Sequence, residues 1–349
     1  LIVGICAVLG FDLDRSLGVS GTAFALCTFI LTQYQAQGPR TRRVVMIPKS
    51  RSPFSSSIHR GLSDLIAAST TIAFSVEWPE NIRTSELDWQ INVLRSQSCV
   101  IADAIVIVPA GDDERLWTEL VRATREGKFI VVVDTKPKNA FFGQRNARSP
   151  FFVGSNFTAG GDCVGAELAT LLAAKPDRRA IFAWGPSSSW PGMERTRGTS
   201  TALLLAGVSN RVVPVELADW QRDANADHIV NHIRRALEES GGEIVVYCGN
   251  DKIMEAVERR LMRGLEIRDR NRVGLIGYDG IATSEGGLLV HSSCMSIATV
   301  DTRPEEQGRV AAQVLMEEHN GLMDGRGSRY IEPILIRSKL GVEWSSAGT

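Results

Sequence analysis

Residues 103–137, DAIVIVPAGDDERLWTELVRATREGKFIVVVDTKP, decide how this chain folds. Two short runs, 104–108 (AIVIV) and 129–133 (FIVVV), flank a helical pattern over 113–126. Neither run alternates apolar with polar residues. Both are apolar throughout and rich in β-branched side chains, as expected of strands covered on both faces by helices. A strand, a helix and a second buried strand within this length form a βαβ unit, whose crossover is right-handed.

The pattern continues on both sides. Upstream, 44–48 (VVMIP) and 72–78 are strand-like, and helical stretches follow at 56–68 and 85–96. Beyond Asp134 the alternation restarts: 151–153, a helix over 159–173, 179–184, a helix over 194–206 and 211–217. Helix 223–240, strand 243–248, helix 252–264 and strand 272–277 come next, and a last strand candidate covers 331–336. Two successive runs of this kind predict two α/β lobes of similar build, each a doubly wound parallel sheet.

The chain has 349 residues, 44% hydrophobic and 23% charged, with a formal net charge of −1. That balance is ordinary for a folded protein with a sizeable core and gives no electrostatic handle for nucleic acid or anionic lipid. Cysteines stand at 6, 27, 99, 163, 248 and 294 without a C-x-x-C pair, so no structural metal is expected. Cys163 and Cys248 read as buried small hydrophobes, and a Cys248–Cys294 disulfide stays open for an oxidising compartment. His228 and His232 share a helical face, which reads as a solvated stripe rather than a metal site.

Residues 17–32 (LGVSGTAFALCTFILT) carry no charge and suit a signal-peptide core or signal anchor, so 1–41 is read as an export or anchoring segment. Arg40, Arg42 and Arg43 follow it, a placement that would hold the main body in the cytoplasm. Regular strand–helix punctuation begins only at Arg42, which speaks against a buried helix of the main body, and export is the expected outcome.

The fragments resemble, in order and spacing, the type I periplasmic binding proteins of the ribose- and galactose-binding branch. They are VVMIPKSRSPFSSSIHRG (44–61), DAIVIVPAGD (103–112), FIVVVDTKP (129–137), FVGSNFTAGGDCVGAELA (152–169) and ERTRG (194–198). ADWQRDA (218–224), VVYCGNDKIMEAV (245–257), VGLIGYDG (273–280) and IATVDTRPEEQGRVAAQVL (297–315) complete the set. The resemblance spans roughly 42–340 and extends to the ligand-sensing core of lactose-repressor-like regulators. It implies a three-segment hinge near 134–136, 301–304 and 330–333. Lobe one would be 42–134 plus 303–331, and lobe two 135–302 plus 332–344. The ligand would lie in the cleft outside the carboxyl ends of both sheets, where open α/β sheets place their ligands.

A sugar presents hydroxyls that donate and accept, over apolar C–H faces, so its site needs carboxylates, amides, an arginine and an aromatic plate. The resemblance assigns such roles to Phe54, as a stacking ring in a loop where Ser52 replaces a common Asn, and to Asp112. Asp112 and Asp113 both compete for the helix cap that follows, and Asp134 ends its strand between contact and hinge roles. Arg195 matches the sugar-binding arginine of the Arg-x-x-Gly pattern, with Arg197 as a rival and Met193 where some members carry a polar group. Trp220 offers a second plate. Asn250 and Asp279 follow strongly apolar strands and are expected to hold hydroxyls, with Asp251 as the cap of the next helix. Thr302 occupies a hinge position where relatives use Gln or Asn.

These features predict an extracytoplasmic solute-binding protein that captures a monosaccharide or polyol. It would be a monomer, without cofactor or catalytic residues, and would serve a membrane permease or receptor. A repressor-type regulator core is the alternative, but residues 1–37 hold only Arg15 as a cation and offer no basic helix for DNA. No G-x-G-x-x-G, G-x-x-x-x-G-K-[ST] or G-x-S-x-G motif marks a doubly wound enzyme.

Overall fold

The structure is a computed structural model in which residues 41–79, 85–137, 139–187, 189–220, 222–281, 295–322 and 327–346 are described. The proposed export or anchoring segment and Cys294 lie outside them. By its contacts the chain divides into two compact units, Leu1–Arg42 and Arg43–Thr349.

The first sheet takes up β1 (Arg42–Ile47), β2 (Ile72–Val76), β3 (Ala104–Ile107), β4 (Phe129–Val133) and β5 (Phe151–Ser155). Their order is β5-β4-β3-β1-β2, with β11 (Ser328–Ile331) added parallel beside β5. The second sheet holds β6 (Arg179–Trp184), β7 (Val212–Glu216), β8 (Ile244–Tyr247), β9 (Val273–Asp279) and β10 (Ser296–Asp301). Its order is β10-β9-β8-β6-β7, closed at the β10 edge by the antiparallel β12 (Ile334–Arg337). The central strands β3, β4 and β8 are buried at every residue, as their unbroken apolar sequence requires.

Helices cover both faces of each sheet. Around the first lie α1 (Pro53–Ile66), α2 (Glu86–Leu94), α3 (Gln97–Ile101), α4 (Glu114–Arg125) and α5 (Asn139–Gln144). Around the second lie α6 (Phe157–Ala174), α7 (Trp190–Leu205), α8 (Arg222–Glu239), α9 (Asp251–Gly264) and α10 (Ile267–Arg270). The helix α11 (Pro304–His319) returns to pack on α1, and α12 (Lys339–Ser346) packs on β10. Each sheet thus separates two hydrophobic clusters, one per face. Among the described residues, no helix is long and apolar enough to cross a membrane.

Two boundaries differ from the sequence reading. The strand β5 pairs with β4, Val131 opposite Phe151, so the first crossing between lobes falls after Ser155 and not at 134–136. A buried apolar strand announces itself in sequence, but which sheet it joins depends on distant pairing. The single strand expected over 331–336 is in fact two, since β11 ends at Ile331 and β12 begins at Ile334. Pro333 between them cannot donate to a ladder, and each half joins a different sheet. The remaining crossing runs through Thr302 and Arg303, the latter in left-handed backbone (φ 54°).

Two helix pairs approach closely enough to demand glycine. A Cβ on Gly61 of α1 would meet the Glu305 carbonyl oxygen at 1.9 Å, and one on Gly308 of α11 the Ile58 oxygen at 2.1 Å. In the second lobe a Cβ on Gly161 of α6 would meet the Arg195 oxygen at 2.2 Å, and one on Gly198 of α7 the Thr158 oxygen at 2.1 Å.

Candidate functional site

The carboxyl ends of the two sheets supply the polar residues picked from sequence. Asp134 directly follows β4 and Asp279 ends β9, and these strands hold the same place in their sheet orders. Both residues have left-handed backbone, φ 72° and 102°. Such angles are costly for a side chain with a Cβ and gather where a function fixes the geometry.

Arg195 projects from the second turn of α7 and is 8% exposed. Its Nη2 donates to Asp279 Oδ1 at 3.1 Å and its Nη1 to the Gly249 carbonyl at 3.3 Å. Its guanidinium lies 3.7 Å from the Tyr278 ring centre, 5.0 Å from that of Phe157 and 5.5 Å from that of Trp220. Such packing holds a planar cation by its faces while its edge bonds carboxylate and carbonyl. Burial opposes the charge, but Asp279 and the nearby tyrosines hold its pKa above the ordinary arginine value. The Arg195 Nε and the Tyr278 hydroxyl are buried without a hydrogen-bond partner among the described residues. Arg197, by contrast, is exposed and paired with Glu194, which settles which arginine faces inward.

Asp134 is half-buried. Burial pushes its carboxyl up to about 6; the Lys49 charge pulls it down, the Asp279 charge pushes it up, and Arg195 pulls it down. These couplings bring Lys49 and Asp134 of the first lobe within electrostatic reach of Arg195 and Asp279 of the second. The Asp279 carboxyl is likewise raised by burial, against the pull of Arg195 and Lys49.

The other chosen residues have local employment. Asn250 is the N-cap of α9, its Oδ1 accepting from Ile253 N at 2.8 Å, so it takes the capping role expected of Asp251. Asp251 is instead fully buried, accepts from Thr299 Oγ1 at 2.7 Å and Ile281 N at 2.8 Å, and is pushed up to about 7 by burial. Asp112 and Asp113 divide their work. Asp113 caps α4, and Asp112 accepts from the buried Trp117 Nε1 at 2.7 Å. Trp220 is partly buried and donates through Nε1 to Ser189 Oγ at 3.3 Å. Phe54 sits in the first turn of α1, partly buried against the core of lobe one. Thr302 is 1% exposed and donates to the Asp279 carbonyl at 3.4 Å, so it braces the strand end and does not open onto the cleft.

Tyr278, Phe157 and Lys49 escaped the sequence reading. Tyr278 lies inside the GYDG fragment and could have been found from its neighbour; Lys49 carried no signal beyond following a strand. Cys248 is buried with a free thiol. The His228 and His232 rings lie 4.9 Å apart, and among the described residues no cluster of three or more His, Cys, Asp or Glu could hold a metal ion. A cavity of about 510 Å³ beside β5 and β11 is lined by residues such as Lys136, Arg148 and Phe152 and includes none of the polar set above.

No family model and no curated protein sequence matches the chain. Solved structures do. An ABC transporter solute-binding protein from Burkholderia multivorans is similar with a TM-score of 0.68 and 20% identity, over 85% of this chain and 99% of that one. An ABC transporter periplasmic solute-binding protein from Actinobacillus succinogenes with bound D-allose gives 0.67 and 16%, over 86% and 99%. The fructose-binding periplasmic domain of a hybrid two-component system gives 0.65 and 15%, over 85% and 90%. With two six-stranded sheets in matching strand order and these structural neighbours, the chain has the fold of the sugar-binding type I periplasmic binding proteins.

Proposed function

We propose that this protein is an extracytoplasmic solute-binding protein that captures a small polar ligand, a sugar, between its lobes without transforming it. The observation that carries this is the placement of Asp134 and Asp279 at matching strand ends, one per lobe, within electrostatic reach of each other and of Arg195. Carboxylates accept from hydroxyls, the arginine edge donates, and the Trp220 and Phe54 rings supply apolar plates. The buried Arg195 Nε and Tyr278 hydroxyl add donors of the kind that a ligand completes. Neighbours of this fold are named as binders of D-allose and fructose, which supports binding over catalysis. They also frame the partner: a permease, or a membrane receptor as in the two-component neighbour.

A ligand held from both sides stabilises only the closed arrangement, and the three crossings at 155–157, 302–303 and 332–333 would serve as its hinge. Solution scattering should show a smaller radius of gyration with a saturating sugar than without, and the sugar should be recovered unchanged. Turnover of the sugar would overturn the reading, and an unchanged radius at saturation would remove the hinge from it.

A further inference from the structure

Lys49 is two residues beyond β1, at the carboxyl edge of the first sheet, and is half-buried. Its charge reaches both Asp134 and Asp279, yet it makes no hydrogen bond or ion pair among the described residues. Other buried or partly buried cations near the lobe cores, such as the following three, are employed. Arg195 is committed to Asp279 and Gly249, Arg178 to Glu243 and the Leu171 carbonyl, and Lys128 to the Val100 and Ala102 carbonyls. Among the described residues, the three donors of Lys49 have no acceptor.

Withdrawing an ammonium from water costs free energy unless an acceptor replaces it. The neighbouring carboxylates are poorly placed to do so. Asp279 is held 3.1 Å from Arg195, and Asp134 lies outside ion-pair distance of Lys49. A neutral hydroxyl can accept from such a cation, but an anion adds the attraction of opposite charges, which grows as water is excluded from the pair. The set therefore combines acceptors for hydroxyls, Asp134 and Asp279, with a cation, Lys49, that, unlike Arg195, is bonded to no acceptor among the described residues.

Resting on the solute-binding reading above, we infer that Lys49 reads an anionic substituent, so that the cleft takes an acidic sugar in preference to its neutral parent. A carboxylate, as in an aldonate or uronate, and a sugar phosphate share this chemistry.

Calorimetry on the full chain would compare D-gluconate, D-glucuronate, D-galacturonate and D-glucose 6-phosphate with D-glucose and D-galactose. At least one acid should bind roughly tenfold or more tightly than its neutral parent, and added salt should weaken the acid selectively. Which anion binds separates carboxylate from phosphate. Lys49→Gln should bring the acid-to-neutral affinity ratio close to one, and Lys49→Arg should restore most of it, with melting curves checking that both variants fold. Equal affinity for acid and parent in the wild type, or a ratio that survives Lys49→Gln, would overturn the inference while leaving sugar capture standing. Binding of no member of the panel, acid or neutral, would overturn the sugar reading itself and this inference with it.

Discussion

In lobe one, β4 ends at Val133 and hands on to Asp134; in lobe two, β9, the strand in the matching place, ends on Asp279. The two carboxylates share a position and a left-handed backbone, but their surroundings differ. Asp279 is tied to Arg195, which is itself packed on Tyr278, Phe157 and Trp220 and bonded to Gly249. Opposite it stand Asp134, whose carboxyl has no arginine bonded to it among the described residues, and Lys49, which makes no hydrogen bond or ion pair among them. On the function proposed above, lobe two carries a preorganised half-site and lobe one an open half-site whose groups await a ligand.

The sharpest way to break this contrast is to remove the anchor of the finished half. Arg195→Ala leaves the partly buried Asp279 without its cation, a change that costs somewhat less than the roughly 3–5 kcal/mol typical of a fully buried pair. Binding should fall by more than about 100-fold, and the melting temperature should drop with or without ligand. Calorimetry and thermal unfolding check both, and retained affinity would mean that the half-site of lobe two is not where the ligand docks.

Glycine substitutions sharpen the comparison. Gly161→Ala forces a methyl against the Arg195 carbonyl, and Gly61→Ala forces one against that of Glu305. Each should destabilise by about 1–3 kcal/mol through overpacking. Only the first displaces the helix that holds Arg195, so only Gly161→Ala should weaken binding beyond its effect on stability. Equal affinity losses in the two variants would show that the lobes are coupled more tightly than their separate cores suggest.

The smallest effect concerns Asp134. Its folded pKa of about 6 lies above the ordinary 3.8, so the folded state binds the proton more strongly than the unfolded chain does. The penalty is absent below pH 4, grows as pH rises through that window, and is complete above 6. Asp134→Asn removes it, so the variant should gain melting temperature over the wild type between pH 4 and 7. The gain should be on the order of 1–2 kcal/mol, reduced by the water that reaches a half-buried carboxylate. A constant difference across that range would place Asp134 in a more open setting.

The layered fold was legible because buried parallel strands leave unbroken runs such as AIVIV and FIVVV, which few other structures require. The partition between lobes was less so. The run at 151–153 reads as a strand, but its sheet is chosen by pairing with β4 and β11, a long-range property that local pattern does not carry. Of the residues chosen from sequence, Asp134 and Asp279 stand at strand ends and Arg195 in a helix, and folding places Arg195 3.1 Å from Asp279 with Asp134 within electrostatic reach of both. Local chemistry that sequence leaves open decided the rest. Either Asn250 or Asp251 could cap α9, and only folding shows that burial claims Asp251. A lysine after a strand, such as Lys49, looks like any surface lysine until the opposite lobe is in place.

The late crossings have a consequence for how the chain is made. Lobe two draws all but its edge strand and last helix from a continuous stretch, residues 156–301, whereas lobe one needs α11 and β11, from 304–331, to complete it. On a ribosome, β1 to β5 emerge first, yet the face of α1 that carries Gly61 stays bare until α11, which begins at residue 304, follows it. At about 5–20 residues per second that interval is on the order of ten seconds or more. The lobe synthesised first therefore waits longest for one face of its core to be covered, and during that time this face is the part of the nascent protein most in need of a chaperone.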